Sequence, residues 1–181
     1  REAKTRGVNV TCETCPHYFS MTEEKVLSKD ADYRMNPPLR EEADRVAVLE
    51  GLLDGTIDCI VTDHAPHTPQ EKADFFTAPN GVIGMETSFA AAYTYLVKTG
   101  KMSLSRLVEK MSVNPARRLK ISAGTLSVGA PADITVVDLN RDWVVEPDKL
   151  HSKARNAVYK GMTLTGKVMT TFCGGRLVYT G

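Results

Sequence analysis

One stretch of the chain decides its fold: Ile57-Asp58-Cys59-Ile60-Val61-Thr62-Asp63-His64-Ala65-Pro66-His67. Five of its first six residues are apolar, β-branched or cysteine, which predicts a buried strand. The predicted strand leads directly into Asp63, His64 and His67, and Pro66 ends regular structure there. Parallel α/β scaffolds present catalytic groups in this way, at the carboxyl ends of their strands. A structural interpretation stays open, in which Asp63 only caps the next element.

Predicted strands and helices alternate on both sides of this stretch. A strand is predicted over residues 7–14, and apolar residues at helical spacing predict a helix over residues 41–53. Another helix is predicted over residues 88–98, and Ser103 is expected to cap the next one. The Asn114-Pro115 pair is expected to interrupt that last helix. This order indicates an α/β fold with a parallel sheet or barrel.

The pattern changes after residue 121, where strand signals follow one another with few helix signals between them. We therefore predict that residues 1–121 belong to a barrel-type domain and that residues 122–181 form an all-β module. Because a complete barrel needs about 250 residues, we expect the chain to be the C-terminal portion of a longer protein. The strands predicted in the second part span residues 132–139, 142–145 and 167–179, the last with a hairpin turn at 173–176.

The composition argues against several classes of protein. Among the 181 residues, 42% are hydrophobic and 25% charged, and the formal net charge is +1. Such a balance favours no nucleic-acid or anionic-membrane partner, and no apolar run approaches the roughly 20 residues of a membrane span. Cys12 and Cys15 form a C-x-x-C pair without the second pair or nearby histidines of a structural zinc site. We expect reduced, mostly buried thiols in a cytoplasmic protein.

Asp63 is the strongest candidate for chemistry. A carboxylate at a strand end can bind a divalent metal and can also accept a proton from an attacking water. His67 lies just beyond it and is able to donate a hydrogen bond to an anionic substrate group. His64 is expected to pack or to form a structural hydrogen bond instead.

Two further segments carry candidate binding residues. Asn36 precedes two prolines, and a side-chain amide on such a stiff loop suits recognition of an amide or imide edge. Asn80 and Gly81 lie in a turn whose backbone is able to approach a ligand closely. For each segment an ordinary turn or cap is the open alternative. The connection over residues 68–84 is long, and long connections are usually functional or mobile.

Taken together, several segments resemble dihydroorotases of the amidohydrolase superfamily. The specific ones are Asp63-His64-Ala65-Pro66-His67 and Met35-Asn36-Pro37-Pro38-Leu39-Arg40. The G-x-L-x-x-G-x-x-A-D run at residues 124–133 is shared by many amidohydrolases and indicates only the superfamily. The Cys-Glu-Thr-Cys-Pro segment at residues 12–16 also occurs in allantoinases and dihydropyrimidinases, which remain an enzyme alternative.

The resemblance implies an α/β fold, the C-terminal part of a (β/α)8 TIM-type barrel followed by strands of a flanking β-sandwich domain. It also implies one or two zinc ions and the reversible cyclisation of N-carbamoyl-L-aspartate to L-dihydroorotate in pyrimidine biosynthesis. Asp63 matches the metal-ligating aspartate that shuttles the proton. Asn36, His67 and the backbone around Asn80 and Gly81 match positions that hold the substrate.

The remaining metal ligands of the family match no residue of this chain. They are an H-x-H pair, a bridging carboxylated lysine or aspartate, and two further histidines. We therefore expect the chain to be a fragment that is inactive alone. The whole enzyme is expected to be cytoplasmic and to form homodimers. The alternative from another class is a non-catalytic, dihydroorotase-like scaffold that assembles with aspartate carbamoyltransferase.

Overall fold

The computed structural model describes residues 1–181, and its secondary structure is mixed α and β. Short 3-10 helices span Glu23–Ser28, Ala31–Tyr33 and Pro147–Lys149, and π-helical turns span Tyr93–Val97 and Glu109–Val113. The helices are α1 (Glu2–Thr5), α2 (Pro16–Ser20), α3 (Glu42–Asp54), α4 (Ser88–Ala92), α5 (Leu104–Val108) and α6 (Asn114–Leu119). The strands are β1 (Glu13–Thr14), β2 (Cys59–Ile60), β3 (Ile134–Val144), β4 (Thr163–Cys173) and β5 (Arg176–Thr180).

The strands predicted at residues 7–14 and 57–62 both form, but each is only two residues long. β1 and β2 pair in parallel, with Glu13 opposite Cys59. The pairing begins late because the Asp58 carboxylate accepts the Cys12 amide at 2.9 Å. Pairing through β2 ends before Asp63, whose φ of 47° lies in the left-handed region. The parallel pairing places the carboxyl ends of two strands side by side, as predicted.

A third segment joins this edge. His64 forms an isolated parallel bridge with Val82, and the Ala65 amide donates to the Val82 carbonyl at 2.9 Å. The segment around residue 82 therefore runs beside residues 64–65. This brings the predicted turn at Asn80 and Gly81 next to the stretch that decides the fold.

The helices predicted over residues 41–53, over residues 88–98 and after Ser103 all form, the second as α4 followed by the π-helical turn Tyr93–Val97. One detail of the prediction is wrong. α3 is followed by Gly55, which has a φ of 89° and caps the helix, as predicted for the helix over residues 41–53. Ser103 caps α5 by accepting the Arg106 amide at 3.3 Å. The predicted interruption at residues 114–115 is wrong, because the π-helical turn Glu109–Val113 continues directly into α6. Pro115 is the second residue of α6, and the Asn114 amide just before it closes the π-helical turn on the Glu109 carbonyl, so the helix passes through the proline.

The strands after residue 121 form one three-stranded sheet in the order β3-β4-β5. The hairpin is confirmed, with Cys173 opposite Arg176 in an antiparallel pair. Two strands were predicted over residues 132–145, but β3 is a single strand of 11 residues. The position of this sheet in a β-sandwich stays a prediction.

The chain divides into two compact units. The first comprises residues 1–88 and 144–162, and the second comprises residues 89–143 and 163–181. Phe19 and Leu52 are among the fully buried side chains of the first unit, and Leu96, Leu107 and Leu164 are among those of the second. The boundary predicted at residue 121 marks the change from helices to strands and stays a prediction. No helix combines the length and the apolar character that crossing a membrane requires.

Candidate active site

Asp63 and Asn36, two of the predicted site residues, lie on one cavity of the first unit. The cavity has a volume of about 820 Å³, and its wall also includes His64, Arg40 and Arg45. Asp63 reaches it because β2 ends just before the left-handed turn at this residue. The structure therefore brings together a carboxylate and a side-chain amide that are 27 residues apart in the sequence.

The neighbours of Asp63 on the cavity wall stay protonated at neutral pH. Burial raises the pKa of the Cys15 thiol to about 12, and the negative charges of Asp63 and Glu13 act in the same direction. Burial also raises the pKa of Tyr18, with the charges of Cys15 and Asp63 adding to it. Because a nucleophilic cysteine must be a thiolate, this environment does not favour such a role for Cys15.

Tyr18 anchors the loop that carries Asn36. Its hydroxyl donates to the carbonyl oxygen of Pro37 at 2.8 Å. The aromatic ring thus fixes the residue that directly follows Asn36. A residue of α2 therefore holds the loop that the two prolines were expected to stiffen.

His64 and His17 have structural environments. Nδ1 of His64 accepts the amides of Gly84 and Met85 at 3.1 and 3.4 Å, which confirms the structural hydrogen bond predicted for it. His17 is only 3% exposed, and its Nε2 has no hydrogen-bond partner. Burial lowers the pKa of His17 to about 4, so its imidazole is neutral at physiological pH.

His67, Asn80 and Gly81 form a second group. His67 Nε2 lies 3.0 Å from the Asn80 carbonyl oxygen. Because a carbonyl oxygen only accepts, Nε2 is the donor, and Nδ1 remains available, 3.9 Å from the Glu71 carboxylate. The Gly81 amide donates to the Arg34 carbonyl at 3.0 Å, which links this group to the segment before Asn36.

Only glycine fits at residue 81. Its φ is +139°, and a Cβ built there would lie 2.6 Å from the Ala65 Cβ and 3.0 Å from His67 Nε2. The sequence predicted a close approach of this turn to a ligand. The close approach seen in the structure is to Ala65 and His67, and contact with a ligand stays a prediction.

A lysine and an asparagine that sequence reasoning did not single out hold this second group. Lys72 Nζ donates to the carbonyl oxygens of Ala31, Arg34 and Pro79 at 3.0, 3.1 and 2.9 Å. Burial lowers the pKa of Lys72 below its usual value. Asn156 is buried and binds both Ala65 and Gly81. Neither a lysine in a polar loop nor a single asparagine carries a sequence signal for such a role.

The metal-ligand candidates do not cluster within the chain. No group of three or more His, Cys, Asp or Glu side chains that could hold a metal ion occurs in residues 1–181. All four cysteines are free; Cys15 and Cys59 are buried, whereas Cys12 and Cys173 are exposed. The prediction of mostly buried thiols therefore holds for two of the four.

Comparisons with known proteins agree on the family. The sequence profile described as "Amidohydrolase family" matches residues 3–178. A dihydroorotase of Acetivibrio thermocellus is 52% identical over 179 residues, covering 98% of this chain and 42% of that protein. A dihydroorotase of Bacillus caldolyticus is 47% identical over 180 residues, covering 99% of this chain and 42% of that protein. The chain thus spans less than half the length of the curated relatives it matches.

Solved structures of two hydantoinases are also similar to this chain. One is an L-hydantoinase (dihydropyrimidinase) from Arthrobacter aurescens, with 32% identity and a TM-score of 0.88. The other is a D-hydantoinase (dihydropyrimidinase) from Thermus sp., with 26% identity and a TM-score of 0.91. Each match covers 99% of this chain and 41% of the other chain.

Proposed function

Because the chain belongs to the amidohydrolase family, we propose that it is the C-terminal portion of a dihydroorotase, which opens and closes the ring of L-dihydroorotate. The observation that carries the proposal is the shared cavity of Asp63 and Asn36, a carboxylate and an amide beside a parallel strand end. Identity of 47–52% to dihydroorotases favours this activity over that of the hydantoinases, which are 26–32% identical.

The proposed fold is part of a (β/α)8 barrel followed by strands of a flanking β-sandwich. The parallel pairing of β1 and β2, with α3 between them in the chain, is one unit of such a barrel. The similarity to the hydantoinase structures over 99% of the chain supports the same architecture. The sheet β3-β4-β5 supplies strands for the sandwich.

Zinc is the proposed cofactor, and this chain fits as the donor of one ligand. The Asp63 carboxylate is an oxygen ligand that zinc accepts, and it is exposed at the end of a strand. A catalytic zinc takes about three protein ligands, so the others are assigned to the part of the protein outside residues 1–181. When bound, the ion would polarise the scissile carbonyl and activate water.

The residues of this chain have separate roles in the proposed reaction. Asp63 accepts the proton of the attacking water and passes it to the ring nitrogen that leaves. Asn36 binds a polar edge of the substrate with its amide. His67 Nε2–H is used by the Asn80 carbonyl, so Nδ1 of this tautomer is an acceptor for a substrate N–H rather than the donor to an anionic group that the sequence suggested. The backbone of Asn80 and Gly81 orients the substrate beside it.

The experiment is a substrate comparison with the full-length, zinc-loaded protein. We expect kcat/KM for L-dihydroorotate to exceed that for dihydrouracil, hydantoin and allantoin by at least about 100-fold, because a site built to hydrogen-bond the polar groups of one substrate rejects analogues that lack them. A preference for hydantoin, dihydrouracil or allantoin would assign the protein to the alternative enzymes. No turnover of any of the four would favour the scaffold that assembles with aspartate carbamoyltransferase.

A further inference from the structure

The side chain of Asn156 lies between the segments that carry His67 and Gly81. The residue is only 2% exposed. Its Nδ2 donates to the carbonyl oxygens of Ala65 and Gly81, both at 3.0 Å, and its Oδ1 accepts the His67 amide at 3.3 Å. Both amide hydrogens and the side-chain carbonyl are therefore used in one buried contact.

These hydrogen bonds extend a short backbone pairing. The Ala65 amide donates to the Val82 carbonyl, which holds the two segments side by side. At the end of this pairing the Asn156 amide bonds to Ala65 and Gly81, and it receives the amide of His67. The Asn156 side chain thus pairs with the backbone of both segments, as a neighbouring strand would, at the point where the proposed substrate-binding residues begin.

We infer that Asn156 is a positioning residue, which holds His67 and the turn at Asn80 and Gly81 in register for the substrate. It bonds to the backbone of both segments, and neither of these contacts requires a bound ligand. The inference rests on the proposed function, since it takes His67 and Gly81 as substrate-binding residues.

The chemistry of the contact requires an amide. Asn156→Asp keeps the size of the side chain but removes both donors and places a carboxylate against two carbonyl oxygens. Buried acceptors that lose their donors are costly, so the two segments are expected to separate rather than to stay in place. The bond from His67 Nε2 to the Asn80 carbonyl spans the same two segments and is expected to weaken with them.

The kinetic test uses the full-length, zinc-loaded protein with four variants: Asn156→Asp, His67→Asn, the double variant and Asn140→Asp. Asn140 is exposed on β3, so Asn140→Asp repeats the chemical change away from the site. We expect Asn156→Asp to raise KM for dihydroorotate at least tenfold with a smaller change in kcat. In the His67→Asn background the same substitution should raise KM by a smaller factor than in the wild type, because the part of its effect that passes through His67 is already lost and only the part that passes through the turn at Asn80 and Gly81 remains. Asn140→Asp should match the wild type.

A second readout does not depend on turnover. With ¹⁵N-labelled histidine, NMR should show the Nε2–H tautomer of His67 in the wild type and a mixture of tautomers in Asn156→Asp. Additive effects on KM, or an unchanged His67 tautomer, would overturn the positioning role. Asn156→Ser replaces Asn156→Asp if the latter does not fold, with the same expected outcomes. An inactive wild type would contradict the proposed dihydroorotase, whereas the tautomer would still decide the role of Asn156.

Discussion

The two sides of the candidate site are built differently. The Asp63 side consists of Asp63 and Asn36 on the cavity, and the described hydrogen bonds leave the Asp63 carboxylate unengaged. The His67 side consists of His67, Asn80 and Gly81: His67 bonds to Asn80, Gly81 bonds to the buried Asn156, and Lys72 bonds to the neighbouring Pro79. The His67 side is therefore held by contacts within residues 1–181, whereas the Asp63 carboxylate has no hydrogen-bond partner among them.

The largest effect is expected from Asp63→Asn. Removing the base should lower kcat by roughly 10²–10⁴-fold, the range typical of general-base loss. Steady-state kinetics with dihydroorotate measure this, alongside Asp148→Asn as a control at an exposed carboxylate. A kcat near that of the wild type would remove Asp63 from the catalytic role.

Lys72→Met should give the largest loss of stability. It removes one donor from each of three carbonyl oxygens, but the Ala31 and Arg34 carbonyls still accept backbone amides, so only the Pro79 carbonyl loses its sole donor. Because one unpaired acceptor costs about 1–3 kcal/mol, we expect the free energy of unfolding to fall by about 1–3 kcal/mol in urea titrations. Lys101→Met, at an exposed lysine, should change it by less than about 0.5 kcal/mol. Equal effects of the two substitutions would show that the Lys72 contacts contribute nothing.

His17 should make stability depend on pH. Burial lowers its pKa from 6.5 to about 4 in the folded protein. Between these two pH values the imidazole is protonated in the unfolded chain but remains neutral in the folded protein. Stability should therefore fall as pH decreases from about 6.5 to about 4, by about 2–3 kcal/mol in total. Urea titrations across this range should show a weaker dependence in His17→Gln. Identical slopes in the two proteins would mean that His17 takes up its proton equally in both states.

His67→Asn should have the smallest effect. Loss of a substrate contact should raise KM about tenfold with a smaller change in kcat, at an unchanged zinc content. His151→Asn tests a histidine on the surface and should leave both constants unchanged. Loss of zinc in His67→Asn would show that His67 contributes to the metal site rather than to substrate binding.

The sequence predicted what depends on local pattern. The strand before Asp63, the helix α3 ending at Gly55 and the Ser103 cap follow from hydrophobic periodicity and capping chemistry. The extent of β1 was overestimated because the bond from the Cys12 amide to Asp58 depends on a residue 46 positions away. Local pattern thus located the elements but not their ends.

Polar contacts between residues far apart in the sequence could not be predicted. Nothing in the composition around Lys72 or Asn156 distinguishes these two donors from ordinary polar residues. Their importance comes from carbonyl groups that only the fold brings together. The sequence could therefore suggest candidate site residues, whose roles stay predictions, whereas it could not indicate the residues that hold them.

The most direct test of the difference between the two sides is a parallel measurement of kcat and of unfolding free energy for Asp63→Asn and Lys72→Met. Unfolding is measured on metal-free protein, so that zinc binding does not contribute to it. We predict that Asp63→Asn loses at least about 100-fold in kcat and less than about 0.5 kcal/mol of stability, since asparagine tolerates the left-handed backbone there. Lys72→Met should lose about 1–3 kcal/mol of stability, because the Pro79 carbonyl loses its donor. An Asp63→Asn protein that is destabilised as much as Lys72→Met but keeps its kcat would contradict the account.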